Sequence, residues 1–308
     1  MLESVTNERS WTDDTVRAVG TGLIDVALDP ALLARPYMRR LVQYFITVFL
    51  RDTLFPRADD AYADLYEALY AALLERSDVN ETTSLILLRL ADAKLRRKPA
   101  DAESVLRHCY AWFKTPVPVL QGCVLDAFDL LASYGVPGPL LAEWYREWVL
   151  TLLGLPGTRD RTIIQAWLAF GEWIQPGADM LLALRQALEV TSADDDPLAQ
   201  LPAGYLIGIF TLRPQSAERA RDALLARNSA LDVRICAATD LDDRAKALAR
   251  NAQMAVVVTT CITHALTYGI GPYLRQDPVY PMSSGAASIV RAIEEQVRMT
   301  GATALVSS

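Results

Sequence analysis

From Tyr205 onward the sequence alternates between two incompatible periodicities, and nothing else in the chain restricts its fold as much. The apolar β-type runs YLIGIF, LDVRIC and MAVVVTT are separated by the helical runs SAERARDALLARN and LDDRAKALARN. The chain then reads PVYP and continues into SSGAASIVRAIEEQV. Strands separated by helices call for crossover connections and a parallel sheet. The expectation is a small three-layer α/β/α domain over residues 203–300 with a four-stranded parallel sheet, flavodoxin-like in its strand order 2-1-3-4, and a tail over 301–308.

The preceding residues, 1–190, read as helix almost throughout, so the expected fold class is α + α/β. The chain has 308 residues with 52% hydrophobic and 22% charged, enough for one large core or two moderate ones. Apolar residues recur at three and four, as in Leu85, Leu88 and Ala91, or Leu120, Val124, Phe128 and Leu131. These spacings and the breakers between them predict helices from Asp13 or Asp14 to Ala27 and from Pro36 to Arg51. Others follow over Ala58–Arg76, Glu81–Arg97, Asp101–Phe113, Val119–Tyr134, Pro139–Leu153, Thr162–Trp173 and Ala178–Glu189. The segment VLQGCVLDAFDLLASYGVPGPLLAEW lies over IIQAWLAFGEWIQPGADMLLAL when Gln121 is set on Gln165, a shift of 44. The two segments weakly resemble HEAT-type helical pairs, which implies a solenoid; a compact bundle satisfies the same pattern. Trp144, Tyr145, Trp148, Trp167 and Trp173 fall on three consecutive helices at packing intervals, which reads as core or partner surface rather than a stacking platform. His108-Cys109, inside an amphipathic helix, reads as a structural pair. Thr191 to Pro197 carries Asp194-Asp195-Asp196 without periodicity, and residues 191–202 read as an acidic linker.

Charge and cysteine usage narrow the partners. Residues 203–308 hold 11 Lys and Arg against 9 Asp and Glu, whereas residues 1–202 hold 19 against 28. An acidic helical part argues against binding nucleic acid. The basic run Lys94-Leu95-Arg96-Arg97-Lys98 ends a helix before Pro99, where cations complement the helix dipole. Four cysteines, at 109, 123, 236 and 261, show no paired spacing, and the expected compartment is a reducing cytoplasm. The acidic start MLESVTNERSWTDD does not read as a secretory signal, and LVQYFITVFL is too short to span a bilayer. No membrane association is expected.

The candidate site lies where a parallel sheet exposes the carboxyl ends of its strands. The first strand leads into Phe210-Thr211-Leu212-Arg213-Pro214, with neither GxGxxG nor GxxxxGK[ST], so no dinucleotide or nucleoside-triphosphate cofactor is implied. Arg213 reads as an exposed loop arginine or as an anion contact. The third strand leads into Thr259-Thr260-Cys261-Ile262-Thr263-His264. Cys261 and His264 suit a thiolate–imidazolium pair, two ligands of a metal, or a hydrogen-bonded helix start around Thr260 or Thr263. No metal set is complete, because Cys236 and Asp240 are the only further ligand candidates. Ser283-Ser284-Gly285 opens the last helix, where free N–H groups and the dipole attract anions, and where a serine serves equally as an N-cap.

The run AVVVTTCITHAL…PVYPMSSGAASIVRAI, from Ala255 to Ile293, resembles the end of a small bacterial α/β domain family of unknown function. In that family a valine-rich strand leads to a Ser/Thr-His-Ala loop, matched here by Thr263-His264-Ala265. A later strand leads to a Ser-Ser-Gly turn, matched by Ser283-Ser284-Gly285. The resemblance implies the fold and draws attention to His264; it brings no activity. The reading that follows is a non-enzymatic cytoplasmic adaptor, scaffold or regulatory protein. Its helical part contacts protein partners or a second copy, and its α/β domain binds a partner or a small anionic ligand through Thr260, Cys261, Thr263, His264, Ser283, Ser284, Gly285 and Arg213. The alternative is an enzyme or sensor acting on a nucleotide or phosphorylated metabolite at the His264/Ser284 edge.

Overall fold

The computed structural model describes residues 13–29, 31, 35, 55, 60–76, 78–155, 161–190, 196–238, 240–258, 269–281 and 283–306. The expected helix from Pro36 to Arg51 lies outside them. Packing separates the chain into Met1–Thr115 and Pro116–Ser308. That division falls inside the stretch assigned from sequence to one helical body, and not at residues 191–202.

The first unit contains α1 (Asp13–Leu28), α2 (Asp60–Arg76), α3 (Glu81–Arg97) and α4 (Ala102–Trp112). Helix α3 starts where a capping box satisfies its free donors: Asn80 Oδ1 accepts the Thr83 N–H at 3.0 Å, and Thr83 Oγ1 accepts the Asn80 N–H at 3.0 Å. Its basic end is a helix terminus, as expected, but not a fully solvated one. Lys94 is mostly buried and bridges Glu67 at 2.6 Å and Asp101 at 3.2 Å. His108 and Cys109 are structural neighbours of the core: the Tyr70 hydroxyl lies 3.3 Å from His108 Nδ1, and Cys109 is fully buried.

The second unit opens with four helices: α5 (Gln121–Ser133), α6 (Gly138–Gly154), α7 (Arg161–Ile174) and α8 (Ala178–Val190). Their aromatic residues make the core. Phe128 stands 4.5 Å from Trp144 and 5.1 Å from Phe170 between ring centroids, and Trp148 stacks on Trp167. Trp144, Tyr145, Trp148 and Trp167 are all buried; Trp173 alone of the five keeps much of its surface, 45%.

The sheet contains β1 (Leu206–Phe210), β2 (Asp232–Cys236) and β3 (Met254–Val257), all parallel, in the order β2-β1-β3. The expected fourth strand is a correction. Among the described residues, only Val279 bridges Val256, exchanging backbone hydrogen bonds with Ala255 and Val257. Pro278 and Pro281 flank it at close quarters, and proline has no N–H to extend a ladder. The prolines shorten the strand to a single rung.

Alternation along the strands sets the two faces. Ile207, Ile209, Met254, Val256 and Val258 pack against α9 (Pro214–Arg227) and α11 (Ala286–Val306), through Ala217, Ala220, Leu224, Ile289 and Ile293. Phe210, Ala255 and Val257 pack on the other face against Ala245 and Ala249 of α10 (Asp243–Asn251). Helices α5 and α7 in turn contact α9 and α11, so those two helices are covered on both sides.

The end of the presumed linker takes part in this packing. Residues 191–195 lie outside the described set, but Asp196 accepts the Leu198 N–H at the start of a short 3₁₀ helix, Pro197–Gln200. Its carboxylate also receives Arg227 through Nε at 2.9 Å and Nη2 at 2.6 Å. Arg227 pairs at the same time with Glu294 of α11, whose carboxylate accepts the Thr162 hydroxyl of α7. Breaking a buried pair strands the remaining charge. Asp196→Ala is therefore expected to lower the unfolding free energy by roughly 3 kcal/mol, measured by urea unfolding, whereas a spacer residue would leave the midpoint unmoved.

Candidate functional site

The carboxyl edge of the sheet is defined by the loops after β1 and after Val279. Arg213 follows β1 and is buried, which overturns the reading as an exposed loop arginine. Its Nη2 donates to the Tyr134 hydroxyl at 3.1 Å, and its guanidinium lies 5.1 Å from the centre of the Tyr134 ring. Ser283 and Gly285 form a tight start to α11. The Ser283 N–H donates to Ser288 Oγ at 3.0 Å, and the Gly285 N–H donates to Ser283 Oγ at 3.1 Å. The structure thus brings Arg213, Ser283 and Gly285 to the edge that sequence singled out, with Ser284 between the last two. Thr260, Cys261, Thr263 and His264 lie outside the described residues.

The anion position at the head of α11 is filled by the chain itself. Asp129 of α5 accepts the Ala286 N–H through Oδ2. Its Oδ1 accepts Arg219 Nε of α9 at 2.7 Å, and Arg219 Nη2 lies 2.5 Å away. The helix dipole and the guanidinium thus stabilise one buried carboxylate. Burial raises the Asp129 pKa, and Arg219 with the Ala286 N–H opposes that rise. Arg219 also covers the exposed Trp173 ring at 5.8 Å.

One turn earlier on α5, Asp126 is in a different condition. It is buried, and its oxygens make no hydrogen bond of good geometry; the Ser283 hydroxyl is its nearby donor, and Arg291 Nη2 of α11 stands 3.8 Å off. Burial lifts its carboxyl from 3.8 to about 7; Arg291 and the Ser283 hydroxyl oppose the rise, and Asp129 adds to it. Two glycines make this approach possible. A Cβ on Gly285 would collide with Asp126 Oδ1 and lie 3.1 Å from Asp129 Oδ2, and a Cβ on Gly122 would collide with the Arg291 guanidinium. Helix α5 sends carboxylates into the start of α11, and α11 sends a guanidinium back into α5.

Sequence reasoning did not find Asp126 and Asp129. The signal was there: two carboxylates three residues apart in VLDAFDLL, a helix apolar on every side and therefore buried. Chemically, the pair is two buried carboxyls in unlike settings, Asp129 bonded to a guanidinium and a helix N–H, and Asp126 lifted by burial to about 7. Among the described residues, no group of three or more His, Cys, Asp or Glu is placed to hold a metal, and no helix is long and apolar enough to cross a membrane.

A family model described as DpdD-like matches residues 4–292. The chain belongs to that family. The match runs through both packing units, and it supports neither the narrower resemblance over Ala255–Ile293 nor the HEAT-type one. No curated protein and no solved structure matches.

The junction yields two expectations for stability. Gly285→Ala forces α5 away from α11 and is expected to cost about 1–3 kcal/mol, seen as a melting temperature lower by several degrees. Arg219→Met leaves Asp129 buried without its cation and is expected to cost roughly 3–5 kcal/mol. Equal melting temperatures for both variants and the parent chain would contradict the junction as described.

Proposed function

We propose that this chain is a non-enzymatic cytoplasmic adaptor or regulatory protein that works through protein–protein contacts. One observation carries the reading: Asp129 occupies the place at the head of α11 where a free anion would bind. The charged groups of that edge, Arg213, Arg219 and Arg291, are turned inward onto Tyr134, Asp129 and Asp126. The outward face of the helical layer of the second unit carries large apolar side chains among its charged ones. Leu140 and Leu150 of α6, Trp173 of α7 and Leu182 of α8 are exposed, Leu150 at 63%. Tryptophan and arginine carry a disproportionate share of the energy in protein interfaces, and here Trp173 lies beneath Arg219.

A second reading keeps the α/β domain as an enzyme or sensor for a nucleotide or phosphorylated metabolite at the His264/Ser284 edge. The observation favouring it is the buried Asp126 carboxyl beside Ser283, lifted by desolvation to about 7.

The two readings separate in solution. The adaptor reading expects the tagged full chain to retain a protein partner, or a second copy, through size exclusion with light scattering. Trp173→Ala should weaken that association about tenfold or more. Millimolar phosphate, pyrophosphate or ATP should leave the melting temperature unchanged. A lone monomer whose melting temperature rises with one of these anions, and loses the response in His264→Ala, would replace the adaptor by the sensor or enzyme.

A further inference from the structure

We propose that Asp126 and Asp129 carry one negative charge between them, with a proton on Asp126, and that loss of this proton loosens the clamp between α5 and the start of α11. The inference rests on how the two carboxyls are placed, and is independent of which partner the helical layer meets.

The two groups converge on one point, the position a Cβ of Gly285 would take, with Asp129 Oδ2 3.1 Å from it and Asp126 Oδ1 nearer still. Their hydrogen-bonding is unequal. Asp129 accepts Arg219 and the Ala286 N–H, three polar atoms of ionic or dipolar character, and these fix it as the ionised member. Asp126 makes no hydrogen bond of good geometry, has only the Ser283 hydroxyl as a nearby donor, and is 4% exposed. An ionised carboxylate so buried, with one weak donor and beside a second carboxylate, is the less stable form; a proton relieves both penalties.

The groups facing Asp126 come from every element around it. Asp129 lies on its own helix. Ser283 belongs to the loop before α11, and Arg291 to α11 itself, reaching α5 through the space left at Gly122. Arg219 of α9 and Arg213 after β1 act on the partner carboxylate. Among the described residues Arg291 is the cation paired with Asp126, at 3.8 Å and partly exposed to solvent.

The sign of the effect follows from linkage. The folded-state pKa of Asp126 is raised from 3.8 to about 7, so the folded chain binds more protons than the unfolded one across that interval. Stability then falls as pH rises through the interval and levels off above it. This is the reverse of the usual salt-bridged carboxylate.

The test is a carbon-13 titration of the side-chain carboxyls in the full chain, assigned with Asp126→Asn, beside melting temperatures from pH 5 to pH 8. The proposal expects Asp126 to titrate near pH 7 and Asp129 to stay ionised but sense the same inflection. The parent chain should lose melting temperature across this range, and Asp126→Asn should flatten the profile. Arg291→Gln, at a partly exposed position, should move the Asp126 inflection upward, and it serves if Asp126→Asn does not fold. An Asp126 inflection below about pH 5, in the ordinary carboxylate range, would overturn the proposal. So would an inflection that Arg291→Gln leaves in place or lowers.

Discussion

The second unit depends on one contact, the Asp129 carboxylate of α5 set at the head of α11. A helix start presents N–H groups and a positive partial charge that must be met. In an open α/β sheet that end faces the edge where ligands ordinarily bind. Here the requirement is met from within, by a residue 157 positions earlier in the chain. Satisfying it required α5 to lie close enough for Gly285 and Gly122 to leave room for the opposing side chains, and that closeness buried Asp126 as well.

A second buried network repeats the logic at another place. Arg227 of α9 holds Asp196 and Glu294 together, and Glu294 also takes the Thr162 hydroxyl of α7. Both networks join the helices that precede the sheet to the helices that cover it. Buried pairs of this kind are weak evidence for net stability, because desolvation offsets much of the attraction. Their effect is on specificity: the contacts Asp129–Arg219 and Thr162–Glu294 form only where α5 and α7 lie against α9 and α11. The packing unit therefore runs from Pro116 to Ser308 and includes the helices that sequence assigned to a separate scaffold.

Much of the local structure was legible because it follows from local rules. Helix α3 occupies Glu81–Arg97, and α8 starts at Ala178, as the periodicity and the breakers predict. Trp144, Trp148 and Trp167 are core residues, in keeping with their spacing. The edge of the α/β domain was also legible, since Arg213 and Ser283 to Gly285 follow sheet residues in a parallel arrangement. Its occupant was not. Asp129 pairs with Arg219 across 90 positions, and Thr162 with Glu294 across 132, and periodicity carries no information at that range. The fourth strand failed for a local reason that was visible, the prolines at 278 and 281.

By itself, then, the sequence determined most of the described helices, three of the four expected strands, and that those strands are parallel. Those outcomes follow from backbone sterics, side-chain period and the reach of short connections. Only the tertiary structure decided that the head of α11 is met by the chain's own carboxylate, that Asp196 is a structural anchor, and that Asp126 is a buried acid with few polar partners. Each of these arises when distant helices pack and remove water from charged groups, so that the nearest buried neighbour sets a carboxyl's state.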